Sequence, residues 1–298
     1  MELDDLMATT QRLNLAVETL AAIGARTRAG LADLDLDPAV AARLDEVVRA
    51  AGLDPTAVDA LPADARQAAL GAIHAFFAQA ADLLAHPEHP PGWHHTDTAV
   101  IESQGRASAA IAGLVAGFAP ALGDLGERLA APGAAFLDVG VGVGWLSIAM
   151  ARTFPDLTVT GLDIWAVALE RARHHVAEAG LGDRIEIRDQ DITRLDDLQA
   201  FDLVFLPGPF LPVDVVPVAL HRGAAALRPG GWALLGLYAG PPDPQAQALT
   251  DLRVIRSGGH PWRIEEAVEA MTKAGYAEVH PVARTWQLPM TFVAGRAP

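Results

Sequence analysis

The sequence predicts an α/β protein in which a mostly parallel β-sheet follows an all-helical N-terminal domain. In residues 1–120, apolar side chains recur at helical spacing and no strand-like alternation interrupts them. After Pro132 and Gly133, short runs of β-branched and aliphatic residues alternate with helical stretches, which is the pattern of a parallel sheet covered by helices on both faces. We therefore expect two domains, residues 1–120 and residues 121–298.

Capping residues support the helices expected in the first domain. Asp37 and Pro38 are typical of the N-cap and the first helical position, and Gly52 is typical of the residue after a helix end. A second apolar stripe runs through residues 70–84, and another helix is expected over residues 97–117.

Seven strands are expected in the second domain. Five of them are separated by helical patterns and cover residues 135–139, 158–162, 185–188, 203–206 and 233–238. The helices between or after them are expected at residues 144–152, 165–179, 214–227 and 264–274. Residues 278–282 and 290–294 are separated by a short stretch, so they predict an antiparallel pair that closes one sheet edge.

Composition excludes several classes of function. The formal charge is −15, from 37 acidic and 22 basic residues, and such a field repels nucleic-acid phosphates and anionic lipids. The chain has no cysteine, which excludes disulfides, thiolate metal sites and cysteine nucleophiles. Its acidic start is unlike a secretory signal, and the uncharged run 107–123 is too rich in alanine and glycine for a membrane span. A cytoplasmic protein is expected.

A glycine-rich loop between a predicted strand and a predicted helix is the strongest local signal. It contains Gly140, Gly142 and Gly144, and glycine lets a backbone turn tightly and approach a ligand. The dinucleotide fingerprint does not fit, because its third glycine would fall on Trp145 or Ser147. The phosphate-loop pattern also fails, since no Gly-Lys-Ser/Thr follows.

Two acids flank this loop. Asp163 ends the second strand 19 residues after Gly144, where a carboxylate can accept hydrogen bonds from both hydroxyls of a ribose. Asp138 stands two residues before Gly140 and is placed to hold a cationic amino group. A pyrophosphate ligand has no such group, so the acids favour a cationic nucleoside.

The Asp-x-Gly-x-Gly-x-Gly run, together with Asp163, resembles the class I S-adenosylmethionine-dependent methyltransferases over about residues 120–298. The resemblance implies S-adenosylmethionine as the cofactor and a Rossmann-like, seven-stranded sheet with a reversed last strand. Ile164 would pack on the adenine and Asp191 would meet its amino group. The residues implied to bind the cofactor are those that match the family's motifs: Asp138, Gly140, Val141, Gly142, Gly144, Asp163, Ile164, Asp191, Ile192, Leu206 and Pro207.

The residues after strand four depart from one branch of these enzymes. Amino-directed DNA methyltransferases carry Asn-Pro-Pro-aromatic there, whereas this chain has Leu-Pro-Gly-Pro-Phe at residues 206–210. The asparagine that accepts hydrogen bonds from a target amino group is therefore absent. This departure argues against adenine N-methylation.

Catalytic residues are less sharply indicated, because methyl transfer from a sulfonium mainly requires alignment. A base is needed only if the acceptor must lose a proton, and histidine is the usual choice. The candidate bases are His94 and His95 in the loop of residues 86–96, and His260 in a second loop. The first loop could instead be a solvated linker, and the second could simply start a helix. A metal cluster of histidines is an open but disfavoured alternative, since no carboxylate shows a convincing companion spacing, and no metal is expected.

Aromatic residues near these loops are candidates for binding the acceptor, namely Trp93, Phe210 and Trp262. The leading hypothesis is a small-molecule O-methyltransferase. A carbon, nitrogen, protein or RNA methyltransferase stays open, as does a cofactor-binding protein that no longer transfers methyl groups. In natural-product (secondary-metabolism) O-methyltransferases, a helical N-terminal region forms a lid and a homodimer interface. The resemblance implies both roles for residues 1–120, unless that region is a scaffold for another protein.

Overall fold

The computed structural model describes residues 3–93, 98–239 and 243–298. Contacts within the chain divide it into two units, residues 3–87 with 98–107, and residues 88–93 with 108–298. The expected boundary at residue 120 thus falls inside the second unit, because the helix just before it packs in the core of that unit.

The first unit is helical, as predicted. Its helices are α1 (Leu3–Ala32), α2 (Pro38–Ala50), α3 (Pro55–Ala60), α4 (Ala63–Ala85) and α5 (Thr98–Ser108). The predicted cap of α2 is confirmed, since the Asp37 carboxylate accepts hydrogen bonds from the amides of Ala39 and Val40. Only part of the stripe over 70–84 packs inward: Leu70 and Ile73 are buried, whereas Phe76 and Leu84 are exposed.

Among the described residues, α4 is the only helix long and apolar enough to cross a membrane, and 17% of its most apolar window is buried. One such helix is weak evidence for a membrane segment, because core helices of water-soluble proteins meet the same criterion.

The single helix expected over 97–117 is wrong, because two helices occupy that stretch. α5 ends at Ser108 and α6 (Ala110–Phe118) begins two residues later. The amide of Ala112 bonds to the carbonyl of Ala109, three residues back, so the chain tightens between them. The uncharged run supplies buried core residues, as expected.

The second unit contains the predicted seven-stranded sheet. Its strands are β1 (Ala135–Val139), β2 (Thr158–Asp163), β3 (Ile185–Asp189), β4 (Phe201–Pro207), β5 (Leu227–Tyr238), β6 (Ala277–Pro281) and β7 (Met290–Arg296). Their order is β3-β2-β1-β4-β5-β7-β6. β1 to β5 pair in parallel, and β7 is antiparallel to both neighbours, which confirms the reversed last strand.

Helices cover both faces of this sheet. After α6 they are α7 (Leu125–Ala130), α8 (Trp145–Thr153), α9 (Ala166–Glu178), α10 (Val216–Ala226), α11 (Pro244–Arg256) and α12 (Ile264–Lys273). Neighbouring β1 residues enter different cores: Phe136 packs in the cluster containing α6 and α8, and Leu137 in the one containing α10 and α12. α11 is missing from the sequence prediction, although Asp243 and Pro244 form the usual cap and first turn.

Candidate functional site

The glycine loop lies at the carboxyl end of β1, where the order of the strands reverses. β1 pairs with β2 on one side and with β4 on the other. From β1 the chain adds β2 and β3 on one side of the sheet and then β4 and β5 on the other side. Ligands of open α/β sheets bind at this point. The carboxyl ends of β1, β2 and β4 therefore form the candidate site.

The loop glycines have distinct structural requirements. Gly140, Gly142 and Gly144 all have positive φ, at 67°, 54° and 86°. A Cβ on Gly144 would also lie 3.4 Å from the Cα of Ala172, and one on Gly140 would lie 3.2 Å from Pro207. A Cβ on Gly142 would lie 4.0 Å from the carbonyl oxygen of Gly140, an ordinary contact distance, so only the conformation of Gly142 calls for glycine. The loop thus presents bare backbone at the site.

Val141 holds the loop from beneath. Its side chain is buried against Gly161, and its amide donates to the carbonyl of Leu162 over 2.8 Å. A ligand can therefore meet Val141 only through its backbone.

Asp163 joins the loop to the start of α9. One carboxylate oxygen, Oδ2, accepts the amide of Gly142 at 2.8 Å, and the other accepts the amides of Ile164 and Trp165 at 2.8 and 3.0 Å. Its side chain is half-buried, so the carboxylate is held at the site while part of it stays accessible. Each carboxylate oxygen has two lone pairs, so Oδ2, which accepts one amide, retains one acceptor position for a ligand hydroxyl.

Asp138 lies deeper than the sequence suggests. It is 2% exposed, and its carboxyl accepts the Ser147 hydroxyl at 2.7 Å. Burial raises the pKa of Asp138 to about 7; the Ser147 hydrogen bond opposes this rise, and the nearby charge of Asp163 adds to it. This carboxyl is therefore an inner neighbour of the site, sensitive to positive charge placed above the loop.

The residues after β2 and β3 differ in accessibility. Ile164 is 71% exposed, so its side chain is accessible to a planar ring. Asp191 caps a short turn by accepting the amide of Thr193 at 2.8 Å. Ile192 is 5% exposed and packs in the core beside α10, so a ligand can reach only its backbone.

At the end of β4, Leu206 is fully buried and Pro207 packs against Gly140. A turn formed by residues 208–210 follows and places Phe210 at the edge of the site. Of the two predicted residues, only Pro207 borders the loop.

A row of aromatic rings runs along this edge of the sheet. Trp93 meets Trp165 and Phe210 edge to face, with ring centroids 6.5 and 5.9 Å apart, and Phe210 meets Tyr238 in the same way at 6.3 Å. Trp165 and Tyr238 are missing from the sequence prediction. Trp165 lies two residues after Asp163, and Tyr238 is the last residue of β5. These positions at the carboxyl ends of strands are the signal that could have identified them.

Close backbone packing joins three segments beside this row. The amide of Gly92 donates to the carbonyl of Arg256 at 3.0 Å, and a Cβ on Gly258 would lie 3.1 Å from the Cα of Gly92. A Cβ on Gly259 would lie 2.2 Å from the carbonyl oxygen of Pro209. The segment carrying Trp93, the loop after α11 and the turn after β4 are thus packed together.

Substituting Gly259 by alanine is expected to force the loop after α11 away from the turn after β4. Overpacking of this kind costs about 1–3 kcal/mol, so we expect the melting temperature to fall by about 2–10 °C. Gly182→Ala is the matched control, because its Cβ would meet no described part of the chain within 4 Å. Equal melting temperatures for the two variants, measured by circular dichroism, would contradict the expected clash.

The second predicted loop brings His260 and Trp262 together. Their ring centroids lie 4.9 Å apart, and His260 Nε2 lies 3.5 Å from Glu266 Oε2. Glu266 also accepts the amide of Arg263 at 3.0 Å. That backbone hydrogen bond, and then the contact with His260, lower the pKa of Glu266. A carboxylate thus orients the His260 ring. His94 and His95, the other predicted bases, lie outside the described residues.

A small cavity opens between this loop, α11 and the ends of β4 and β5. It encloses about 230 Å³ of empty space including open solvent. Trp262 Nε1 is buried and has no hydrogen-bond partner among the described residues. Asp251 and Arg263 form an ion pair at 2.7 Å on its wall. The cavity does not reach the glycine loop. The residues that line it are Pro209, Leu237, Tyr238, Gln247, Thr250, Asp251, Val254, His260, Pro261, Trp262 and Arg263.

Comparison with known families gives a match over the central part of the second unit. Residues 136–231 match the family described as a methyltransferase domain. A curated relative, release factor glutamine methyltransferase of Rhodopirellula baltica, is 30% identical over 121 residues. That match covers 38% of this chain and 40% of the relative, so the chain spans less than half the length of that relative.

Solved structures match almost the whole chain. An O-methyltransferase family protein from Burkholderia thailandensis has a TM-score of 0.63 at 17% identity, covering 99% of this chain and 98% of that one. Human N-acetylserotonin methyltransferase, solved in complex with SAM, has a TM-score of 0.60 at 12% identity, with coverage of 99% and 98%. At these identities the similarity shows only that this chain shares its fold with both solved proteins.

Proposed function

We propose that this chain, which carries a class I S-adenosylmethionine-dependent methyltransferase domain, transfers a methyl group from S-adenosylmethionine to an oxygen atom of a small molecule. One observation carries the proposal: the amide of Gly142, in a glycine loop whose two valine side chains are buried, and the carboxylate of Asp163 meet over 2.8 Å at the point where the strand order reverses. Bare backbone next to a ribose-binding acid suits a nucleoside whose other arm is an amino acid.

The residues of the site fit this cofactor. Asp163 would bind the ribose, the exposed Ile164 would pack on the adenine, and Asp191 would meet the adenine amino group. The loop backbone and Pro207 would border the methionine arm, with the buried Asp138 below it compensating positive charge. When bound, the cofactor supplies a methyl group on a sulfonium, already activated for in-line displacement.

For an acceptor that must lose a proton, His260 is the base we propose. Its Nε2 lies 3.5 Å from Glu266 Oε2, and this contact would orient the ring so that it can take the proton from a hydroxyl. Trp93, Phe210 and Trp262 would line the acceptor site, since the first two rings touch and Trp262 shares the cavity wall with His260. His94 and His95 remain predictions.

A homodimer through the N-terminal helices is also proposed. The first half of α1 exposes apolar side chains that lack cover in a single copy, and a second copy would remove them from water. They are Leu3, Leu6, Met7, Leu13, Leu15 and Val17. The lid role of the helical unit and a cytoplasmic location also remain proposals.

A protein or RNA acceptor is the second candidate. The relative named for release factor glutamine favours a protein substrate. The charge of −15 disfavours nucleic acid, because like charges repel at long range. Methyl transfer to carbon or nitrogen, and cofactor binding without any transfer activity, are further candidate functions.

The first test is calorimetric titration with S-adenosylmethionine and S-adenosylhomocysteine, with NADH as the comparison ligand. We expect dissociation constants between about 1 μM and 1 mM for the first two ligands, and no binding of NADH. Binding of NADH alone would overturn the proposal. Tritium-labelled donor offered with hydroxylated small molecules, bulk tRNA and protein then separates the acceptors. Label found only in tRNA or protein would contradict a small-molecule enzyme.

A further inference from the structure

His175 is a buried histidine next to the glycine loop to which neither the sequence motifs nor the proposed chemistry gives a role. It lies in α9, is 8% exposed, and its Nδ1 is 2.9 Å from the carbonyl oxygen of Val143. Its ring also lies over the indole of Trp145, with centroids 4.7 Å apart at an interplanar angle of 34°. A polar ring in such a place requires a hydrogen-bonding reason.

The direction of this hydrogen bond follows from chemistry. A carbonyl oxygen can only accept, so Nδ1 of His175 carries the proton and donates it. The neutral imidazole is therefore the Nδ1–H tautomer, and protonation of the ring would leave this bond in place. The contact is independent of whether the ring is charged.

The bond restrains one peptide unit of the loop from both ends. His175 holds the carbonyl of Val143, while the amide of Gly144, in the same peptide unit, donates to the carbonyl of Val141 at 3.0 Å. Gly144 has a φ of 86° and glycine tolerates several conformations, so this peptide could rotate at low cost without the two anchors. The histidine supplies the anchor that reaches the loop from another helix.

Two further contacts hold the rest of the loop. The amide of Gly142 bonds to Asp163 at 2.8 Å, and the amide of Val141 bonds to the carbonyl of Leu162, also at 2.8 Å. Without His175, the start of the loop would stay attached to β2, but its last peptide before α8 would depend on the internal turn alone.

We infer that His175 is a positioning residue that holds the Val143–Gly144 peptide of the glycine loop in the conformation that binds the cofactor. The inference rests on the proposed function, because it assigns the loop to S-adenosylmethionine. His175 touches the loop and not the reacting atoms, so its effect is expected in cofactor affinity rather than in the chemical step.

Three variants separate the hydrogen bond from the packing of the ring. His175→Phe keeps a buried ring on Trp145 and removes the donor, whereas His175→Gln restores a donor without the ring. His174→Phe is the matched control, because His174 is the preceding residue, is exposed and pairs with Glu178 at the surface. All three are compared by calorimetry with S-adenosylhomocysteine, together with their melting temperatures.

We expect His175→Phe to weaken binding of S-adenosylhomocysteine by about 10-fold or more, since a buried carbonyl loses its partner. His175→Gln is expected to recover most of this loss, and His174→Phe to match the wild type. Wild-type affinity in a folded His175→Phe variant would overturn the inference. So would equal losses in the Phe and Gln variants, which would assign the effect to packing.

The wild-type protein provides a measurement that needs no variant to fold. Nitrogen-15 NMR of the histidine side chains is expected to show His175 with a protonated Nδ1 before and after addition of S-adenosylhomocysteine. An unprotonated Nδ1 would overturn the inference whatever the variants do. If the wild type fails to bind S-adenosylhomocysteine, the proposed function fails instead, and the tautomer still reports on the His175 contact.

Discussion

Asp163→Asn is expected to weaken the binding of S-adenosylhomocysteine about 10- to 100-fold, because one hydrogen bond to a charged acceptor contributes about 1.5–3 kcal/mol. The carboxylate accepts three backbone amides, from Gly142, Ile164 and Trp165, and would accept a ribose hydroxyl as well. An asparagine amide group points donors at one of these amides, so the loop and the ribose site are both damaged.

The control for this experiment is Asp156→Asn, which makes the same charge change on an exposed residue just before the start of β2. Calorimetry with S-adenosylhomocysteine measures both variants, and circular dichroism confirms that they are folded. We expect the control to bind as the wild type does. Unchanged affinity in folded Asp163→Asn protein would remove Asp163 from the site and with it the basis of the proposed function.

Asp138→Asn is expected to stabilise the cofactor-free protein at pH 8 relative to the wild type, and to do so much less at pH 5. Burial raises the pKa of Asp138 from 3.8 to about 7, so the native state keeps a proton that the unfolded chain has lost. Between these two pKa values the wild type therefore loses stability as pH rises, by up to about 4 kcal/mol in total. Above about pH 7 both states are ionised and the loss is complete.

Asparagine cannot ionise, so the variant lacks this dependence of folding stability on pH. Its side-chain amide can still form a hydrogen bond with the Ser147 hydroxyl. The free energy of unfolding, from urea titrations followed by circular dichroism at several pH values, measures the difference. Asp156→Asn again serves as the control, because Asp156 is exposed and its carboxyl is not desolvated by burial. A wild-type-minus-variant difference that does not change with pH would show that Asp138 is not held neutral by its surroundings.

Asp138→Asn is also expected to remove a proton release that accompanies binding of S-adenosylmethionine to the wild type. A cationic ligand above the loop favours the ionised carboxyl, so binding near pH 7 should release a proton from the wild type and none from Asp138→Asn. Calorimetry in buffers with different ionisation enthalpies detects this release. Equal proton release from the two proteins would contradict the expected coupling.

Local patterns were sufficient for most of the second unit. Strand runs and helical stripes predicted all seven strands and the antiparallel pair at the sheet edge. β1 and β4 are buried along their whole length, and a strand buried on both faces leaves a continuous apolar run. α11 was missed even though Asp243 and Pro244 mark its start. The break between α5 and α6 was not predicted, since neither glycine nor proline stands at Ser108 or Ala109 to mark it.

The sequence alone determined that a glycine loop follows the first strand and that acids end the strands beside it, because those signals depend on residues close together in the chain. Only the tertiary structure decided which side chains face the site. Asp138 and Ile192 turn inward while Ile164 stays exposed, and His175 reaches Val143 across 32 residues. The physical reason is that burial and hydrogen-bond partners arise from packing between distant segments, which no local pattern records.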